Sequence, residues 1–369
     1  MNETKQVLEK EAYFKTDWYE KEKELIFEKE WQFISFIESL KEERSFILKT
    51  VGNTPIIIIN ENGKINAFVN MCTHRGMRLL RGDEKLNSSI VCPYHNWNFN
   101  IQGELKGIPQ GKEFDKIDKD CLGLKKVQCE IWQDMIFINL NLKAESLDKI
   151  LTPIKNRIFP YDDKNELEFN DGYSYIINSN WKIFVENYMD VYHLSHIHKE
   201  SLKEYDHKNS DFEFINRQWL FYQPLSKEGA SSSSWWDGYM GKLKSFNGDR
   251  GAYVSMLFPN FGITATENMC MYISINPISS TETKIDVYIK SSNGSKKYKM
   301  PIVYDYRDKK ISKEKLLSKP DVMNEDIYAC EMIQKNINSS FFKVSTLAQN
   351  LEKPLFEYQT FIKNCITNN

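Results

Sequence analysis

The chain has 369 residues, enough for two domains of ordinary size. Hydrophobic residues make up 41% and charged residues 27%, a balance that excludes a disordered tail or a fibrous repeat. The formal net charge is −2, so no global field draws the chain to nucleic acid or to a membrane surface.

The first thirty residues are dense in Glu and Lys and contain no apolar h-region, which predicts no secretory signal. Residues 17–35 read as a helix with Trp18, Ile26, Phe27, Trp31 and Ile34 on one stripe. From about residue 45 to 140 the pattern changes to short strands. PIIIINENGKINAFVN reads as a hairpin turning at Glu61-Asn62-Gly63, and SSIVCPYHNWNFNIQGELKG as another turning near Gln102-Gly103. KKVQCEIWQDMIFINLN is a third strand pair. The composition shifts around 145–165, at Pro153, Pro160 and a stretch rich in Asp and Lys, and the domain boundary is expected there. Residues 179–198 read as one helix capped by Ser179 or Asn180. Segment 226–250 reads as a mobile loop of Ser and Gly. YVSMLFPNFGITATE, MCMYISINPIS and TKIDVYIKSS read as strands of an antiparallel sheet, and 320–340 as a helix with Asp321 as N-cap after Pro320. A last helix is expected over 351–364. No run of about 18 apolar residues occurs, so no membrane span is expected.

Seven cysteines stand at 72, 92, 121, 129, 270, 330 and 365. Their odd number and irregular spacing argue against a disulfide framework and predict a reducing, cytoplasmic setting. Cys121, Cys129, Cys270, Cys330 and Cys365 read as free buried thiols. Two cysteines have histidine neighbours: Cys72-Thr-His74, then seventeen residues, then Cys92-Pro-Tyr-His95. Each short pair supplies one thiolate and one imidazole. A zinc ribbon usually draws two cysteines from each knuckle, whereas a [2Fe–2S] cluster with two Cys on one iron and two His on the other needs this mixed supply. A Cys2His2 zinc site is the alternative.

Only six histidines occur, and five fall in two windows: 74 and 95, then 193, 196 and 198. Asp190 and His193 are three residues apart and share a helical face. His198 is five residues beyond His193, about 140° around an ideal helix. The two can meet on one metal only if the helix bends, widens or ends between them. By spacing alone His193 and His196 are the better pair. His207 has no motif around it.

The spacing Cys-x-His-x17-Cys-x2-His, with Arg75-Gly76 and Trp97 beside it, resembles the Rieske iron–sulfur signature. Glu186-Asn187-x2-Asp190-x2-His193-x4-His198, preceded by Asn180-Trp181-Lys182, resembles the mononuclear iron motif of Rieske non-haem iron oxygenase α subunits. The resemblance implies a [2Fe–2S] cluster on Cys72, His74, Cys92 and His95, and Fe(II) on His193, His198 and a carboxylate from a C-terminal helix, the 2-His-1-carboxylate arrangement. Glu325-Asp326-x4-Glu331-x2-Gln334 matches that last segment, with Asp326 as ligand and Glu325 as the alternative. Asp190 and Asn187 enter as catalytic residues, Asp190 as the link from a cluster histidine of one subunit to an iron histidine of the next. This implies a homotrimer or trimer-based assembly, arranged head to tail.

By the same resemblance the chain is α+β: an N-terminal helical segment at 1–31 packing on the catalytic domain, an all-β Rieske domain at 32–145, and a helix-grip (START-like) catalytic domain with an antiparallel sheet at 146–369. The activity implied is O2-dependent hydroxylation or N-demethylation of a small aromatic compound or methylated amine, with electrons from NAD(P)H through a flavin/iron–sulfur reductase or ferredoxin. Arg75, Arg78 and Arg81 suggest a charged docking surface beside the cluster. Trp235, Trp236, Tyr239, Phe258 and Phe261 are candidate pocket residues, the adjacent tryptophans as a cage for a quaternary ammonium, with core packing and a loop anchor as the preferred reading. Thr73 stands where the family commonly has Pro, and Asn96 where it has Gly; Asn tolerates the left-handed backbone that such a position needs. An electron-transfer Rieske protein, or a ligand-binding protein with a dead iron centre, is the alternative function.

Overall fold

The strand-rich region forms three small antiparallel sheets. Strands β1 (Gln32–Phe36), β2 (Phe46–Val51), β3 (Thr54–Glu61), β4 (Lys64–Val69), β5 (Ile90–Val91), β6 (Asn98–Phe99), β7 (Leu105–Gly107), β8 (Gln128–Trp132) and β9 (Met135–Asn139) pair in the orders β1-β9-β8, β2-β3-β4 and β5-β6-β7. This is a computed structural model. It describes residues 5–367 apart from 83–85, 87, 115, 159–166, 228–250, 267–268, 293, 295–297, 299–300 and 308–319. Two compact units are present: Lys23–Asp148, and Met1–Glu22 together with Lys149–Asn369.

In the first unit β3 carries Ile56, Ile57, Ile58 and Ile59, all fully buried. Each contributes on the order of 1.5–3 kcal/mol of hydrophobic stabilisation. Ile57 and Ile59 join Phe46, Phe68, Trp97 and Phe99 in a core that also encloses Cys72 and Cys92. The β3–β4 turn places Asn62 and Gly63 at φ 50° and 83°, where left-handed backbone is required. The β6–β7 turn uses Gly103 at φ 82°; a Cβ there would lie 2.5 Å from the Phe68 ring. The expected second hairpin is thus two hairpins in succession, with residues 92–97 as the tip between β5 and β6.

The predicted helix over 17–35 is corrected. Helix α1 (Thr16–Glu22) is followed by a widened turn at Lys23–Phe27, and Gln32–Phe36 is strand β1. All five residues of β1 are buried, and four of them pair with β9, the register shifting at Ile34. Over so short a span a strand buried on both faces cannot be told from a helical stripe by periodicity.

The second unit is built on an eight-stranded sheet of β10 (Glu168–Ile177), β11 (Asp211–Ile215), β12 (Gln218–Pro224), β13 (Gly251–Leu257), β14 (Phe261–Thr266), β15 (Met269–Pro277), β16 (Thr283–Ser291) and β17 (Ile302–Asp305), ordered β11-β12-β13-β14-β15-β16-β10-β17. Every neighbouring pair is antiparallel except β10–β17, which is parallel. Helix α2 (Leu147–Ile158) leads into this unit, and α3 (Trp181–Met189) lies against β15 and the later helix α5. Asn180 caps α3 by accepting from the Lys182 N–H. The helix then stops: Asp190 is extended at φ −76°, ψ 117°, and α4 (Leu194–Ile197) is a single separate turn. The expected continuous helix over 179–198 is therefore broken ahead of both candidate histidine ligands. Helices α5 (Val322–Ile337) and α6 (Lys353–Thr367) agree with expectation, and Asp321 caps α5 through the Asn324 N–H. No helix among the described residues is long and apolar enough to cross a membrane.

The N-terminal segment clamps α3 from behind. Lys182 and Glu22 are both fully buried and meet at 2.6 Å, and the Trp181 indole donates to the same carboxylate at 2.9 Å. Tyr13 donates to Glu186 at 2.7 Å, and Gln359 of α6 donates to the Tyr13 hydroxyl while accepting from the Val7 N–H. Cys270 and Cys330 are buried as expected, but Cys121 is exposed and Cys129 and Cys365 only half-buried. Cys121 lies in a short surface turn, Asp120–Leu122, with no buried residue.

Burial pushes the Glu186 carboxyl up to about 7, partly offset by its bonds from Tyr13 and Gln359. A raised carboxylate pKa stabilises the fold below the unfolded value near 4.5 and loses that contribution as pH rises through about 7. Glu186→Gln should remove this dependence. Between pH 5 and 8 the urea stability of the wild type should fall relative to the variant by up to about 3 kcal/mol. Parallel pH profiles would contradict the assignment.

Candidate metal centres

The two Cys/His tips of the first unit have the same backbone. The Cys72 N–H donates to the Met77 carbonyl and the Gly76 N–H to the Cys72 carbonyl; the Cys92 N–H donates to Trp97 and the Asn96 N–H to Cys92. Gly76 and Asn96 therefore occupy equivalent positions, four residues after each cysteine, and both are left-handed at φ 72° and 55°. Asn96 meets the backbone requirement expected of it. Thr73 donates to the Leu122 carbonyl at 2.6 Å, which ties its tip to the neighbouring loop.

Both cysteines are buried, with their thiols in hydrogen-bonding reach of each other. The imidazoles of His74 and His95 lie 4.8 Å apart, and His74 stacks on Trp97 at 4.6 Å. The Nδ1 atoms of both rings are buried without a hydrogen-bond partner. Two orphaned nitrogens and two buried thiols in one place lack any internal purpose, and they are the donor set that a Cys2His2-held iron–sulfur cluster takes up. Burial, His95 and Arg75 all push His74 below its ordinary value, the direction that favours the neutral, ligating ring. Arg75, Arg78 and Arg81 are exposed, Arg75 lying over the Tyr94 ring at 5.9 Å.

The second site forms where α3 ends. Beyond the break, the Asp190 carboxylate accepts from the Tyr192 N–H at 2.8 Å and meets His193 Nδ1 at 3.1 Å. The α4 turn then swings His198 back, so that His193 Nε2 and His198 Nε2 are 3.1 Å apart. Asp326 Oδ1, from α5, lies 3.0 Å from His198 Nε2 and 3.5 Å from His193 Nε2. Ligands at right angles about 2.1 Å from a metal stand about 3.0 Å apart, so these three atoms fit one face of an octahedral ion. Asn187 donates to the same Asp326 oxygen at 2.7 Å.

Asp326 and Glu325 are separated by this geometry: Asp326 faces both Nε2 atoms, whereas Glu325 meets the far nitrogen of His198, Nδ1, at 2.7 Å. His196, the better partner by helical spacing, is exposed and meets only Tyr192 and Ser195. His207 bonds Gln223. Burial disfavours a charge on His193, but bonds and charge from Asp190 and Asp326 outweigh it and lift the ring to about 9. Burial also opposes a charge on Asp326, yet the two imidazoles hold it well below the ordinary carboxylate range. Phe258 and Phe261 are buried among aromatic neighbours, as core residues; Trp235, Trp236 and Tyr239 lie outside the described residues. Ser201 was not singled out from sequence, although it stands one helical turn beyond His198; it donates to Glu325 at 2.5 Å.

Residues 30–127 match the Rieske [2Fe–2S] domain, and residues 164–368, more than half of the chain, match the ring-hydroxylating α subunit catalytic domain. The chain is 26% identical over 369 aligned residues to the chloroplastic choline monooxygenase of Spinacia oleracea, covering 96% of this chain and 77% of that one. It is 25% identical to the 2-aminobenzenesulfonate 2,3-dioxygenase α subunit of Alcaligenes sp, covering 75% and 72% of the two chains. The fold is that of the quaternary ammonium Rieske monooxygenase CntA in complex with L-carnitine (TM-score 0.71, 20% identity, 99% and 96% covered). It is shared with naphthalene 1,2-dioxygenase with indole bound (TM-score 0.68, 18% identity, 100% and 94% covered). The chain thus belongs to the ring-hydroxylating α subunits of the Rieske oxygenases, oxidoreductases that carry a [2Fe–2S] cluster and a mononuclear iron.

Proposed function

We propose that this chain is a terminal oxygenase that holds its cluster with Cys72, His74, Cys92 and His95 and its iron with His193, His198 and Asp326. The observation that carries the reading is the convergence of two imidazole nitrogens and one carboxylate oxygen within 3.5 Å of one another at the end of α3. When bound, the cluster stores an electron and the iron binds and activates O2 beside the substrate. The chain's own residues arrange this. Asn187 fixes the ligand oxygen of Asp326, and Asp190 orients His193 through its Nδ1–H. The Asp190 side chain keeps 17% of its surface exposed, so it offers a flank to a histidine from outside. A cluster histidine of a second copy would bond there, in a head-to-tail homotrimer fed by a reductase or ferredoxin.

The preferred substrate class is a small methylated or quaternary amine. Choline monooxygenase is similar along almost the whole chain, and the fold is that of a quaternary ammonium monooxygenase. The similarity to an aminobenzenesulfonate dioxygenase favours an aromatic substrate as the second reading.

Oxygen uptake with a ferredoxin reductase system, screened over choline, glycine betaine, carnitine and aromatic acids, tests the substrate class. Product should form in proportion to oxygen consumed with a methylated amine; coupled turnover confined to the aromatic acids would reverse the preference. Asp190→Asn, which keeps an acceptor for the Tyr192 N–H, should retain both metals and lose about 100-fold in turnover. Trimers mixed from Cys92→Ser and His193→Ala chains should regain activity that neither homotrimer has. Full activity of the Asp190 variant, or no recovery in the mixture, would remove the bridge between subunits.

A further inference from the structure

We propose that Glu325, braced by Ser201, is the positioning residue that locks the His198 ring for the metal, so that two adjacent carboxylates of α5 hold opposite nitrogens of one imidazole. The proposal rests on the reading of His198 as an iron ligand. Adjacent residues on a helix point about 100° apart, enough for one to reach each side of a ring lying across the helix. Asp326 Oδ1 meets His198 Nε2 at 3.0 Å, and Glu325 Oε2 meets His198 Nδ1 at 2.7 Å. Ser201, one turn past His198, donates to that same Oε2 at 2.5 Å and stands 3.3 Å from Nδ1.

The chemistry of the group at Nδ1 decides what Nε2 can do. A carboxylate only accepts, so Nδ1 must carry the proton, and the neutral ring then turns a lone pair toward Asp326 and His193. His198 and Glu325 are 1% and 7% exposed, so water cannot substitute for the bond. The companion carboxylate at the other histidine is built differently. Asp190 is more exposed and takes a backbone donor from its own turn rather than a second side chain. Asp190 is therefore an open contact and Glu325 a sealed one. The lock also ties the His198 turn to α5, so the two elements that supply ligands are joined at the ring itself.

The test is metal affinity in protein loaded with its iron–sulfur cluster. Co(II) is titrated into Glu325→Gln, Glu325→Ala, Ser201→Ala and His198→Ala, and Fe(II) release to a chelator is timed in each. Glu325→Gln and Glu325→Ala should weaken Co(II) binding 10- to 100-fold and speed iron release correspondingly. Ser201→Ala should weaken binding by less than tenfold. In the Co(II)-loaded wild type, the His198 Nδ1–H should give a hyperfine-shifted proton resonance protected from exchange, and Glu325→Ala should lose it. Visible absorption of the cluster and a cooperative melt identify the folded variants, and Ser201→Ala carries the test should both Glu325 variants fail to fold. Wild-type affinity and release in the folded variants would overturn the proposal. Loss of metal in His198→Ala, alongside wild-type affinity in Glu325→Ala, would reject the lock alone. Full occupancy in His198→Ala would reject the ligand assignment beneath it.

Discussion

The proposed iron site depends on a helix that stops in time. If α3 continued past Met189, His193 and His198 would point about 140° apart and could not share a metal. No Gly or Pro interrupts residues 181–198. The stop comes from Asp190, whose N–H closes the last turn on the Glu186 and Asn187 carbonyls while its own backbone turns extended. Its side chain then accepts the Tyr192 N–H, the local bond by which Asp competes with helix continuation. The same carboxylate reaches His193. One short acidic side chain thus ends the helix, forms the next turn and orients a candidate ligand.

Such a site needs a fixed base, and α3 has one. Its first turn is held by the buried Lys182–Glu22 pair and the Trp181 indole, and its last by Glu186 between Tyr13 and Gln359. A buried ion pair adds little net stability over an apolar pair, but removing one partner strands a charge at a cost of about 3–5 kcal/mol. This makes residues 5–22 part of the iron-site framework. Asn180, at the start of α3, is in turn held by Gln334 of α5, the helix that carries Asp326. Candidate ligands from distant parts of the sequence are joined through hydrogen-bonded side chains.

Much of this was legible in the sequence wherever a residue type has one local job. The Cys/His spacing, the left-handed demand at Asn96, the Asn-Gly turn after β3 and the Asp321 cap each follow from short-range stereochemistry. Features that long-range pairing decides were hidden. Gln32–Phe36 became a strand because β9 was there to pair with, and β17 joined β10 in parallel without a pattern of its own. Helical spacing pointed to His196 because it assumed the helix continued; family resemblance, not periodicity, selected His198. Glu325 and Asp326 stood as alternatives in sequence, and only the ring between them shows that each has its own nitrogen.

The central claim is that two separate ligand sets hold two separate iron centres. Iron counted per chain after anaerobic reconstitution, with the cluster quantified in the same sample by its reduced paramagnetic signal, tests it most directly. The account predicts three irons in the wild type, two with an intact cluster signal in Asp326→Ala, and no cluster signal in Cys92→Ser. Three irons in Asp326→Ala, or a drop to two in His196→Ala, would contradict it.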